Sequence, residues 1–192
     1  MEILKNAYQN FQETLEKLDP ELLLQFNTPA SPEEISSFEQ ENDIKLPPAV
    51  HFLYSQANGI DNRHNIIGGW EWCSLEIIQT LTAEVREMMT SSPELEEIDT
   101  ELYLPLFIYN GEDVLCVRLD EKNGKLYYIP YDFSVIKTMS ESLYDFLNTF
   151  VQKIDNNEMA LTKYDSPYGQ SYIIAPHNRA IWMPDSYLNS LN

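Results

Sequence analysis

The sequence predicts an α+β domain in which helices pack on an antiparallel sheet. Three observations carry that prediction. Residues 3–18, 75–89 and 143–154 place apolar side chains at helical period. Residues 102–139 hold short apolar runs separated by Asn110-Gly111 and Asn123-Gly124. Turns this tight join antiparallel neighbours, because a parallel crossover needs a dozen or more residues. Residues 31–59 carry the start and stop signals of two further short helices.

The elements follow in order. Ile3, Leu4, Ala7, Tyr8, Phe11, Leu15 and Leu18 form one stripe, with Lys5, Gln9, Glu13 and Glu16 away from it. This amphipathic helix should end before Asp19-Pro20. Leu22–Phe26 is a short apolar piece, and Thr28-Pro29-Ala30 a linker. Ser31 can cap a helix beginning at Pro32, and Glu34 completes a capping box with it. Pro47-Pro48 stops that helix and starts the next, with Phe52, Leu53 and Ala57 burying. Asn58-Gly59 is expected to supply a left-handed C-terminal cap.

Residues 60–69 read as a polar loop, and Trp70–Cys73 as a half-buried strand. Trp70 and Trp72 project to one face of it, as core, pocket wall or partner anchor. Ser74 can cap the helix of Leu75, Ile78, Leu81 or Thr82, Val85 and Met88-Met89, which Ser91-Ser92-Pro93 breaks. Strands are expected at 102–109, 114–119, 126–130 and 133–139, with a type I′ turn at Asn123-Gly124. Ser140 is expected to cap the helix of Leu143, Phe146 or Leu147, Phe150, Val151 and Ile154. The remaining tail spreads Tyr164, Tyr168, Tyr172, Trp182 and Tyr187 among polar residues, with short strands expected at 171–175 and 180–183.

The chain's 192 residues suffice for one packed domain without a metal or disulfide staple. Hydrophobic content of 43% argues for a core and against disorder. No run of 18 apolar residues exists, so no membrane-spanning helix is expected. No basic leader precedes an apolar stretch at the N-terminus, so no secretory signal is expected. Cys73 and Cys116 are far apart and form no C-x-x-C, which fits reduced, buried thiols in a cytoplasmic protein.

Chemistry-bearing motifs are scarce. His51, His64 and His177 have no zinc-like spacing. No G-x-S-x-G elbow, phosphate loop or calcium loop is present, and Asp120–Gly124 reads as a turn. The sequence therefore predicts no catalytic residue, no metal and no cofactor.

Charge is the most marked global property: 31 acidic residues against 12 basic ones give −19. Nucleic acid and anionic membranes are excluded as expected partners, because phosphate binding needs a basic footprint. A basic protein would instead be attracted. Residues 84–101 hold seven acidic residues and only Arg86 as a base. Glu94, Glu96, Glu97, Asp99 and Glu101 are therefore the first candidates for partner binding, with Trp70 and Trp72 as candidate anchors.

The ordered succession of parts is specific. A Pro-Glu-Glu-Ile helix reaches Phe38-Glu39. Then come Leu46-Pro47, a Phe52-Leu53-Tyr54 helix, Asn58-Gly59, a Trp70 strand and Leu75-Glu76-Ile77-Ile78. Leu104-Pro105-Leu106 leads into Gly111-Glu112-Asp113 and Cys116–Asp120. The Asn123-Gly124 hairpin and the Leu143–Leu147 helix follow. Over residues 31–152 this resembles the SUKH superfamily, which contains the yeast cell-wall-assembly regulator and many bacterial immunity proteins. The resemblance implies an N-terminal helical extension at 1–30, a SUKH-like domain at 31–155 and a C-terminal extension at 156–192 packing on it. It implies no enzyme. It also implies a cytoplasmic immunity protein that binds and neutralises a cognate toxin protein, a nuclease or other basic toxin domain. A regulatory or scaffold-binding module is the alternative it leaves open.

Overall fold

The structure, a computed structural model, describes residues 1–167 and 169–189. Tyr168 lies outside the described residues. Helix α1 (Glu2–Leu18) buries Leu4, Ala7, Tyr8, Phe11 and Leu15. Ile3 belongs to the expected stripe but is exposed. Asp19 ends α1 in extended conformation, and its carboxylate accepts the Glu21 N–H at 2.9 Å to open a 3₁₀ turn over Pro20–Gln25.

Helix α2 (Pro32–Glu41) has the expected capping box. The Glu34 N–H donates to Ser31 Oγ at 3.1 Å, and the Ser31 N–H donates to the Glu34 carboxylate at 2.7 Å. Helix α3 (Pro48–Gln56) buries Val50, Phe52, Leu53 and Tyr54. Its C-terminal cap differs from the expectation. Ala57, at φ −158°, ends α3 in extended backbone, and Gly59 turns the chain two residues later.

Strand β1 (Glu71–Trp72) is short, and helix α4 (Leu75–Ser91) follows the Ser74 cap. Strands β2 (Tyr103–Tyr109), β3 (Asp113–Arg118), β4 (Leu126–Ile129) and β5 (Lys137–Ser140) complete a five-stranded sheet in the order β1-β2-β3-β4-β5. Every pairing in it is antiparallel. β5 starts later than expected, because Phe133 sits in a turn at φ +52° with its side chain buried. Helix α5 (Leu143–Asp155) is capped by Ser142, whose Oγ accepts the Asp145 N–H at 3.0 Å. Ser140 instead ends β5 and donates to the Ser142 carbonyl at 3.0 Å.

Register explains the core. Trp72 pairs with Phe107, Phe107 with Leu115 and Leu115 with Tyr128, which sets these side chains on one face of the sheet. Helix α5 covers that face, with the Phe107 and Phe146 rings 5.4 Å apart. Helix α1 packs on α5 through Phe11 and Phe150, 5.6 Å apart. Helix α4 lies along β2. Residues 60–69 read as polar yet bury Ile60, His64, Ile66 and Ile67.

The tail forms a second, two-stranded sheet. Its strands are β6 (Met159–Ser166) and β7 (Gly169–Pro176), and a last turn of helix, α6 (Asp185–Leu188), follows. The strand expected at 171–175 therefore exists. Its partner is β6, and 180–183, where a second short strand is expected, runs over the core as irregular chain. There Trp182 stacks on Phe146 at 5.0 Å, and its N–H donates to the Gly68 carbonyl at 2.7 Å. Asn65 bridges β7 in parallel, its N–H donating to the Tyr172 carbonyl and its carbonyl accepting from Ile174, both at 3.0 Å.

The two Asn-Gly turns exchange roles. Asn110 and Gly111 lie at φ +51° and +74°, the pair of left-handed residues that a type I′ turn needs. At Asn123-Gly124 only Gly124 is left-handed, at φ +64°, and its N–H donates to the Glu121 carbonyl at 3.3 Å. A Cβ on Gly124 would stand 2.8 Å from Cγ of the fully buried Leu143. Gly124→Val should therefore destabilise the domain by about 2–4 kcal/mol, from φ strain and overpacking together. Urea denaturation reads this directly, and an unchanged midpoint contradicts the close approach.

Burial of His64 makes the tail's attachment sensitive to pH. His64 Nδ1 accepts the Tyr172 backbone N–H at 3.1 Å. Burial holds its pKa below the ordinary 6.5; Asp61 opposes that shift and Arg63 adds to it. The Tyr172 ring, 5.3 Å away, also faces it. The folded state thus prefers the neutral imidazole. The unfolded state takes up its proton first as pH falls through about 6.5, so this contribution is present above that pH and lost below it. Between about pH 7.5 and 5.5 the wild type should lose more stability than His64→Gln, compared by denaturation at each pH. Equal losses in the two proteins contradict the assignment.

Candidate partner-binding surface

The acidic segment leaves α4 at Ser92 and reaches β2 through two 3₁₀ turns, Pro93–Leu95 and Thr100–Leu102. Its backbone is closely tied. Leu95 is buried, and its N–H donates to the Ser92 carbonyl at 3.1 Å. The buried Ser92 hydroxyl lies 2.9 Å from the Phe133 carbonyl and 3.0 Å from the Glu94 carboxylate. Asp99 caps the second turn by accepting the Glu101 N–H at 3.3 Å.

Arg86 clamps the far end. From α4 its guanidinium contacts the Glu101 carboxylate at 2.6 Å and donates to the Glu101 carbonyl at 2.5 Å. The Arg86 side chain is largely buried, so this pair is shielded better than a fully exposed ion pair. The segment is thus an ordered ridge rather than a loose charged connector.

The five candidate carboxylates are therefore not equivalent. All are exposed. Glu101 is held by Arg86, and Asp99 and Glu94 make local bonds. Among the described residues Glu96 and Glu97 have no hydrogen bond or ion pair. Beside them Glu97, Ile98, Asp99, Leu102, Tyr103 and Arg118 line a groove of about 260 Å³.

Sheet register enlarges the acidic face in a way linear order hides. Tyr103 pairs with Arg118, and Arg118 holds Asp120 through two bonds of 3.0 and 2.8 Å. Glu121 lies 4.0 Å from the same guanidinium. The Arg118 guanidinium beside Asp120 lowers that carboxyl's pKa. Asp120 and Glu121 thus stand next to the ridge across the β2–β3 ladder. Their only sequence signal is the register, which depends on the turn at Asn110-Gly111.

Trp70 and Trp72 do not join this surface. Both are fully buried. Trp72 packs among Tyr54, Phe26 and Phe107, at centroid distances of 5.7, 6.1 and 6.4 Å. Trp70 Nε1 donates to the Trp182 carbonyl at 2.9 Å. The anchor assignment is corrected accordingly: both indoles belong to the core, where Trp70 ties the tail to the sheet.

Nothing in this region gathers catalytic groups. Among the described residues, no group of three or more His, Cys, Asp or Glu could hold a metal ion. Cys73 and Cys116 are free, buried thiols whose pKa values burial pushes far up. No helix of the described residues is long and apolar enough to cross a membrane.

The helix pair, the five-stranded antiparallel sheet and α5 together span the segment matched by a family model. The model is that of the SMI1/KNR4 family (SUKH-1), and it matches residues 29–149, more than half of the chain. The chain belongs to the SMI1/KNR4 family. No curated protein matches it. The SUKH superfamily includes immunity proteins and cell-wall regulators. The SUKH-1 match runs from α2 into the first half of α5 and includes the whole acidic ridge. Helix α1 and the β6–β7 hairpin lie outside it.

Proposed function

We propose that this SUKH-1 protein is a non-catalytic, cytoplasmic bacterial immunity protein that binds and neutralises a cognate toxin with a basic domain, such as a nuclease. The observation that carries this reading is the clamped ridge of Glu94, Glu96, Glu97, Asp99 and Glu101. A nuclease presents cationic groups to phosphate, and an acidic ridge can occupy them. Because Arg86, Asp99 and Ser92 already fix the ridge, little loop ordering is needed on binding. Glu96 and Glu97 are its free charges, and Asp120 and Glu121 extend the face.

The direct test is binding and inhibition by the purified protein of the toxin encoded beside it. A stoichiometric complex that abolishes toxin activity is expected. If no neighbouring gene product binds, the immunity reading falls, and a regulatory or scaffold-binding role takes its place.

A further inference from the structure

A second cleft has the opposite electrostatic character. It lies between the outer face of the β6–β7 hairpin, residues 65–69 and the β2–β3 turn, with a volume of about 390 Å³. Ala160 and Ala175, paired across the hairpin, give it a low floor. Tyr109 and Tyr164 line it, and Asn110 and Thr162 bring polar groups.

Two observations set this cleft apart. In a chain with 31 acidic residues, none of the described residues lining it is Asp or Glu. Its one charged lining side chain, apart from titratable His177, is Arg179. The other three arginines are each paired with a carboxylate: Arg63 with Asp61, Arg86 with Glu101 and Arg118 with Asp120. Among the described residues Arg179 has no such partner, and its side chain is exposed at the cleft wall.

We infer that this cleft docks a short, otherwise uncharged peptide segment of a partner protein that carries a single carboxylate, with that carboxylate on Arg179 and an adjoining apolar side chain between Tyr109 and Tyr164. An unpaired guanidinium presents a fork that matches a carboxylate through two hydrogen bonds. A polyphosphate chain is disfavoured, because one cation cannot offset repulsion from a body of net charge −19. The small floor residues and phenolic walls suit a side chain of leucine size. The inference is independent of the acidic ridge and of the toxin reading.

The test is a titration of the full ¹⁵N-labelled chain with a capped peptide of leucine, serine and a single glutamate. The same peptide with glutamine in place of glutamate, and a single-stranded oligonucleotide, serve as comparisons. Saturable shifts are expected at the amides of Asn110, Thr162, Ile173 and Arg179, with the glutamine peptide giving none. Arg179→Gln should weaken binding about tenfold or more, and Arg179→Lys should weaken it less, because charge survives but the fork does not. Arg179 is exposed, so both variants should keep the wild-type spectrum elsewhere. Shifts that do not saturate, equal binding by Arg179→Gln, or tighter binding of the oligonucleotide would each overturn the inference.

Discussion

Gly69→Ala is expected to destabilise the protein by about 2–5 kcal/mol, the sum of left-handed backbone strain and overpacking. Gly69 lies at φ +88°. A Cβ there would stand 2.1 Å from the Ala180 carbonyl oxygen and 2.9 Å from Ile181 Cα. Both are backbone atoms, so no rotamer change relieves the clash. The tail would have to lift, and with it Trp182, which stacks on Phe146 and accepts from Trp70. Gly111→Ala is the matched comparison. Gly111 has φ +74° but nothing within 4 Å of an added Cβ, so its cost should be strain alone, about 1–2 kcal/mol. Urea midpoints of the two variants separate the terms. Equal midpoints would mean that residues 180–182 do not lie against Gly69.

Trp72→Ala should cost about 3–5 kcal/mol, the range for emptying a buried aromatic site. That is a large part of the stability of an ordinary domain, so the variant should be marginally folded at room temperature. Trp72→Phe keeps a ring against Tyr54, Phe26 and Phe107 and should lose much less. The same pair distinguishes core from interface. An interface anchor accelerates dissociation in a stable protein, whereas a core residue lowers the denaturation midpoint. Trp72→Phe should therefore show a lowered midpoint with unchanged partner dissociation. A normal midpoint with faster dissociation would return Trp72 to the interface.

Sequence patterns reveal the elements and miss several of their junctions. The stripe of α1, the Ser31–Glu34 box and the apolar period of α4 are local, and local rules fix them. Asn-Gly permits a type I′ turn without requiring one. The chain between β3 and β4 spans 119–125, too long for a two-residue loop, and only the observed pairing decides between the two candidates. Ser140 and Ser142 are equally good caps by type, and the end of β5 makes the choice. Strand β6 has little sequence signal, because its outer face carries Thr162 and Tyr164, which read like the polar tail around them. The acidic residues of the ridge were legible as a cluster. Their inequality was not, because Arg86 reaches Glu101 from another element. The joining of Asp120 and Glu121 to the ridge likewise depends on long-range register.

Association kinetics with the neighbouring toxin, measured for wild type and a Glu96→Gln, Glu97→Gln double variant across a salt series, test the central claim most directly. The two substitutions remove exposed charges with no partner among the described residues, so the denaturation midpoint should not move. Exposed charges act chiefly on encounter, over a screening length of about 8 Å at physiological ionic strength. The account predicts severalfold slower association at low salt, a flatter salt dependence and a nearly unchanged dissociation rate. A variant that associates at the wild-type rate at every salt concentration would show that the ridge does not meet the toxin.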